Sequence, residues 1–109
     1  MKRHEIWWAN LPEPIGRRPV LLLSRDQAYR ILTRVTVAEV TTTVRHIPVE
    51  VPLGAEEGLP RASVANLDNI HAVAVPRLVS RIGRLPVERT PEVERALGYA
   101  LDIARLKDQ

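Results

Sequence analysis

Cysteine is absent from the 109-residue chain, which excludes disulfides, thiolate nucleophiles and thiolate metal sites and makes a reducing compartment the expected setting. Histidine is scarce. His4, His46 and His71 stand far apart, and no spacing among them matches a zinc motif. The residues therefore call for no metal and no cofactor. Long apolar runs are missing too: "PVLLL" and "IHAVAV" stop at five or six residues, against about 20 for a bilayer span. The opening "MKRHEIWW" lacks the apolar core of a secretory signal. No membrane partner is expected, and a cytoplasmic location is.

What is there fits one ordinary domain spanning residues 1–109, with 45% hydrophobic and 27% charged residues. A chain of this size buries about two thirds of the surface its unfolded form exposes, enough for a core without staples. The net charge of +3 is unevenly placed. Residues 1–53 carry eight basic and five acidic groups, while residues 54–109 carry eight of each. Fourteen of the sixteen cations are arginine, whose planar fork suits phosphate. Genomic base composition also explains such usage, so nucleic acid is one partner class among several.

Along the chain, "EIWWANL" (5–11) reads as a strand, "PEPIGR" (12–17) as a turn-rich loop, and "RPVLLLS" (18–24) as a buried strand opened by a proline. "RDQAYRILT" holds a short helix. "RVTVAEVTTT" (34–43) is β-branched almost throughout and favours a strand, although its period of two fails near Glu39. "IPVEVPL" alternates as a half-buried edge strand, and "GAEEGLPR" is a connection. Two strands, "ASVANL" and "NIHAVAV", follow with Asp68 and Asn69 at their junction, then "PRLVSRIGRL" as a helical turn and a short strand. Thr90 is the expected N-cap of a final helix with Pro91 at its first position. Val93, Ala96, Leu97, Ala100, Leu101 and Ala104 draw its apolar stripe. Six or so short strands and one amphipathic helix make a mainly β fold, a small curved barrel with a C-terminal α-helix.

The strings "EIWWANLPEPIGRRPVLLLS", "GLPRASVANLDNI" and "RIGRL", followed by the terminal helix, closely resemble the MazF/PemK family of toxin endoribonucleases over nearly the whole chain. The resemblance implies an SH3-like barrel, shared with CcdB gyrase poisons, that works as a homodimer. It implies metal-independent cleavage of single-stranded RNA, growth arrest, and inhibition by a cognate MazE-like antitoxin. The family's catalytic arginine matches Arg18 in "RRPVLLL", and its threonine matches Thr41 in "VAEVT". The loop before Arg18 is shorter than in many members, with Gly16 almost alone, which bears on substrate choice. The rival of the same fold, a non-enzymatic gyrase poison, has no need of Arg18 and Thr41 together.

Those residue types suit the chemistry. When the 2′-hydroxyl of RNA attacks the adjacent phosphate, a rigid guanidinium can neutralise the developing charge. A threonine hydroxyl can hold an oxygen in line. Arginine stays protonated and is a poor base; His46 and His71 are open alternatives, and the resemblance lets the arginine itself move the proton. Asp68 and Asn69 read either as contacts to an unstacked base or as a turn pair. Arg17 is a solvated residue able to touch backbone phosphates, and Arg45 with His46 are placed to line a groove. Trp7 and Trp8, adjacent on a strand, face opposite ways.

Overall fold

The computed structural model describes residues 1–109. Its elements are β1 (Glu5–Asn10), β2 (Arg17–Leu22), α1 (Ala28–Ile31), β3 (Arg34–Thr41), β4 (Glu50–Leu53), β5 (Ser63–Ala74), β6 (Leu78–Arg84), α2 (Thr90–Leu101) and α3 (Ala104–Lys107). The strands form one antiparallel sheet in the order β4-β5-β3-β2-β1-β6, so the expected mainly β fold with a C-terminal helix is what forms. Strand pairing does not close it into a barrel, because β4 and β6 remain the two edges. The 3₁₀ turn Ala55–Glu57, which follows β4, instead lays its backbone against Ile82 and Gly83 of β6.

Side chains alternate along each strand, and the sheet carries a core on each face. Ile6, Leu21, Ala38, Val40 and Leu67 pack with Val93 and Ala96 of α2 on one face. Ala9, Val20, Leu22, Val35, Val37 and Val73 pack with Ala28 and Tyr29 of α1 on the other. Burying a side chain of this size contributes roughly 1.5–3 kcal/mol, and both faces collect that gain.

Three local readings change. "ASVANL" and "NIHAVAV" are a single twelve-residue strand, β5, because β3 supplies a partner on both sides of the Asp68–Asn69 junction. Thr90 is the first residue of α2 rather than its cap. A 3₁₀ turn, Val87–Arg89, runs directly into the helix, and the Arg89 side chain turns away to Glu57, Glu92 and the Pro52 carbonyl. The helix also stops early: Asp102 adopts φ 55° and α3 folds back over Gly98, where a methyl would come within 2.7 Å of Leu106 Cβ. Leu101, expected on the apolar stripe, is therefore exposed.

His4 is buried with no hydrogen-bond partner for Nε2. Its backbone is clamped between strands, its N–H donating to Leu22 O at 2.8 Å and its carbonyl accepting from Leu85 N at 2.9 Å. Burial, reinforced by the Arg3 charge, lowers its pKa from 6.5 to about 4. Between those values the unfolded chain binds a proton that the folded chain refuses, so stability is full above pH 6.5 and falls as pH drops towards 4. The expected loss is on the order of 2 kcal/mol. Thermal melts at pH 7 and pH 4.5 check it: the fall in Tm should be smaller in His4→Gln, and an equal fall in both proteins would discount His4 as the cause.

Candidate functional site

On β2, Arg18, Val20 and Leu22 share a face by parity, and Val20 and Leu22 belong to the core that packs on α1. β2 meets β3 with Val20 opposite Glu39 and Leu22 opposite Val37. Carried one pleat beyond its last paired residues, that register sets Arg18 across from Thr41 on the same face. Both are partly exposed there. Pro19 follows Arg18, and its ring fixes φ near −65°, so the guanidinium springs from a stiff base.

Between them lies Glu39, with its side chain only 10% exposed. Arg18 Nη1 donates to Glu39 Oε1 at 3.1 Å, and Glu39 Oε2 pairs with His71 Nε2. His71 sits on β5 opposite Val37. Three adjacent strands thus bring Arg18, Glu39, Thr41 and His71 to one end of one core. A buried carboxylate is tolerable only when paired, and here a guanidinium and an imidazole cover it while remaining themselves 36% and 37% exposed. Arg18 Nε and Nη2 make no hydrogen bond within the chain, so part of its fork faces outward uncommitted. Thr41 Oγ1 accepts from Thr43 N at 3.1 Å, which leaves the hydroxyl hydrogen free to donate.

The ion-pair partner of Arg18 is thus Glu39, while Glu5 binds Arg81. Glu39 itself was missed as a site residue by sequence reasoning, yet it left a trace. The break of alternation in "VAEVT" is the point where a charged residue is turned inward.

The other expected residues are placed differently. Arg17 lies on the opposite face from Arg18, its guanidinium 4.8 Å from the centroid of the Trp8 ring. Trp7 takes the other direction, packing on the α1-side core with Nε1 donating to Glu5 at 3.0 Å. Asp68 and Asn69 are exposed beside Glu39, where the β3–β5 register jumps from Ala38 opposite Ile70 to Glu39 opposite Asn66. Asp68 N is held by Asn66 Oδ1 at 2.9 Å. Arg45 and His46 are exposed in the loop after β3 and donate backbone N–H groups to the Glu50 carboxylate. No hydrogen bond or ion pair joins their side chains to Arg18, Glu39, Thr41 or His71. Next to His71 is a cavity of about 110 Å³ lined also by Arg34, Arg77, Leu11, Pro12 and Ile15. Arg34 and Arg77 are fixed there by bonds to the carbonyls of Ala72 and Asn10, both at 2.9 Å. No three His, Asp or Glu side chains converge to hold a metal ion, and no helix is long and apolar enough to cross a membrane.

Comparison with known proteins supplies further findings. The model of a family described as PemK-like, MazF-like toxin of type II toxin-antitoxin system matches residues 2–101. The chain is 45% identical over 104 residues to the probable endoribonuclease MazF5 of Mycobacterium tuberculosis, covering 94% of each. Among solved structures it resembles M. tuberculosis toxin MazF-mt6 with a TM-score of 0.85 and 41% identity, covering 90% of this chain and 96% of that one. A mycobacterial endoribonuclease solved in complex with its cognate antitoxin is similar at a TM-score of 0.81 and 26% identity, covering 94% and 96%.

Proposed function

The chain belongs to the PemK-like, MazF-like toxin family of type II toxin–antitoxin systems, and from that premise we propose that residues 1–109 form one toxin domain that cleaves single-stranded RNA at the Arg18 face. The observation that carries the reading is the end of the α1-side core, where Arg18 is braced by Glu39 at 3.1 Å with half its fork outward and Thr41 stands next along the register. The nucleophile is the 2′-hydroxyl beside the scissile phosphate. Its oxygen forms a bond to phosphorus while the bond to the 5′-oxygen breaks, leaving a cyclic phosphate and a free 5′-hydroxyl. Arg18 neutralises the charge that grows on the phosphoryl oxygens, and Thr41 donates its hydroxyl hydrogen to hold one of them in line. Asp68 and Asn69, exposed beside Glu39, are positioned to read a splayed base.

Each named step uses only side chains and the RNA itself. Cleavage of a long single-stranded RNA should therefore persist at full rate in excess EDTA, with new ends mapping to a short recurring sequence. Loss of cutting on chelation, restored by a divalent cation, would overturn the metal-independent mechanism. RNA left intact while DNA gyrase is inhibited would point to the non-enzymatic toxin of the same fold. A homodimer and a MazE-like antitoxin belong to the same reading, the latter supported by the relative solved with its cognate antitoxin. The basic excess of residues 1–53 suits an acidic antitoxin segment that folds as it binds. The cytoplasm, where such RNA and antitoxin meet, is the proposed location.

A further inference from the structure

Arg18 and Thr41 leave one requirement unmet. Guanidinium stays protonated in proteins and an alcohol does not titrate near neutrality, so neither takes up the proton that the 2′-hydroxyl must lose. We propose that His71 is the proton-transfer residue of this site and that Glu39 is its positioning residue, a role that rests on the reading of this face as the RNA-cleaving one.

The geometry assigns the parts. Glu39 Oε2 holds His71 Nε2, which selects the tautomer with hydrogen on Nε2 and leaves Nδ1 as the open acceptor. The imidazole is 37% exposed, while the carboxylate beneath is nearly covered. The same carboxylate braces Arg18 through its other oxygen. One buried anion therefore fixes the spacing between the group that neutralises phosphate and the group that moves the proton. Histidine is also the side chain here whose ordinary pKa lies between pH 5 and 8. The charged groups around the ring are Glu39 and Arg34 from β3, Arg18 from β2 and Arg77 beyond β5; the β1–β2 loop offers only the uncharged Leu11, Pro12 and Ile15.

In the step, neutral His71 Nδ1 takes the 2′-hydroxyl proton as the 2′-oxygen bonds to phosphorus. The electron pair of the broken P–O bond departs on the 5′-oxygen, which takes a proton from a water molecule. The imidazolium formed is stabilised by Glu39, the arrangement that a carboxylate gives a catalytic histidine elsewhere, and it returns its proton to solvent.

Cleavage kinetics across pH 5–9 test the assignment on the intact chain with a fluorogenic single-stranded RNA. Wild-type kcat should rise with pH along a single ionisation limb. His71→Ala should lose about 10²- to 10⁴-fold in kcat with KM little changed, lose the limb, and recover part of its rate in added imidazole. Glu39→Gln should lower kcat, and most of that loss should vanish in the His71→Ala background, since the carboxylate acts through the ring. A purely structural role for His71 would leave the limb in place. His71→Gln, which keeps the volume, serves if the alanine variant fails to fold. If His71→Ala keeps its kcat and its pH limb while Arg18→Ala is inactive, His71 has no such role although the cleavage reading stands. A wild-type protein that cuts no RNA would overturn both.

Discussion

Replacing Arg18 by alanine should reduce RNA cleavage by about 10²- to 10³-fold, equivalent to roughly 3–4 kcal/mol of transition-state stabilisation, the usual cost of deleting one preorganised donor to a developing oxyanion. Folding should survive. The guanidinium is more than a third exposed and its ion pair with Glu39 is shared with His71, so its loss costs about 1 kcal/mol at most and Glu39 keeps a partner. Melting temperature should consequently fall by only a few degrees. Arg18→Lys separates charge from geometry. A lysine delivers a point charge without the fork, and with one arm drawn towards Glu39 it has little left for phosphate, so recovery should be slight. Arg105→Ala, on exposed α3, controls for net charge and should cleave normally. Single-turnover cleavage at saturating enzyme, with a thermal melt of each variant, provides the measurement; an Arg18→Ala protein that cuts at the wild-type rate would remove Arg18 from the mechanism.

Much of this site was legible before any coordinates, and the reasons are specific. Arg18 and Thr41 stand at the ends of segments whose β-branched and apolar residues declare strands, and an antiparallel register of those two strands is enough to bring them together. Their neighbours were harder to see. Glu39 lies in an apolar run where its charge reads as an interruption, and only the register of β5, shifted by a bulge, shows that His71 stands ready to meet it. Arg17 shows the converse: adjacent to Arg18 in sequence, it is separated from it by the thickness of the sheet, because successive side chains on a strand point apart. Helix ends escaped for a related reason. The turn at Asp102 and the cap of α2 depend on Gly98 meeting Leu106 and on Arg89 reaching Glu57, contacts between segments that local propensity does not encode.

Gly83→Ala should destabilise the fold more than any other single methyl addition, by roughly 3–5 kcal/mol, and lower the melting temperature by more than about 10 °C. The cause is the way the open sheet is held curved. No hydrogen bonds join β4 to β6; the chain leaving β4 crosses to the far edge, and a methyl on Gly83 would drive into the Glu57 carbonyl, its carbon only 2.8 Å away. Neither side can yield easily. Glu57 is buried, its Oε1 accepting from Gly54 N at 2.6 Å and its Oε2 facing Arg89 Nη1 at 3.4 Å, while Gly83 is paired to Ile6 of the core. Gly58, at φ 92°, lies equally close to Ile82 O at 2.6 Å from its own would-be methyl, so the crossing is tight over two residues. Gly54, in the same connection, has extended backbone and open space around it. Gly54→Ala should accordingly be neutral or stabilise by up to about 1 kcal/mol through the unfolded state. Equilibrium unfolding of the pair in urea tests the account: equal midpoints would mean that the edges are not fastened at this crossing, whereas a large fall confined to Gly83→Ala places the closure of the sheet in backbone contact rather than in strand pairing.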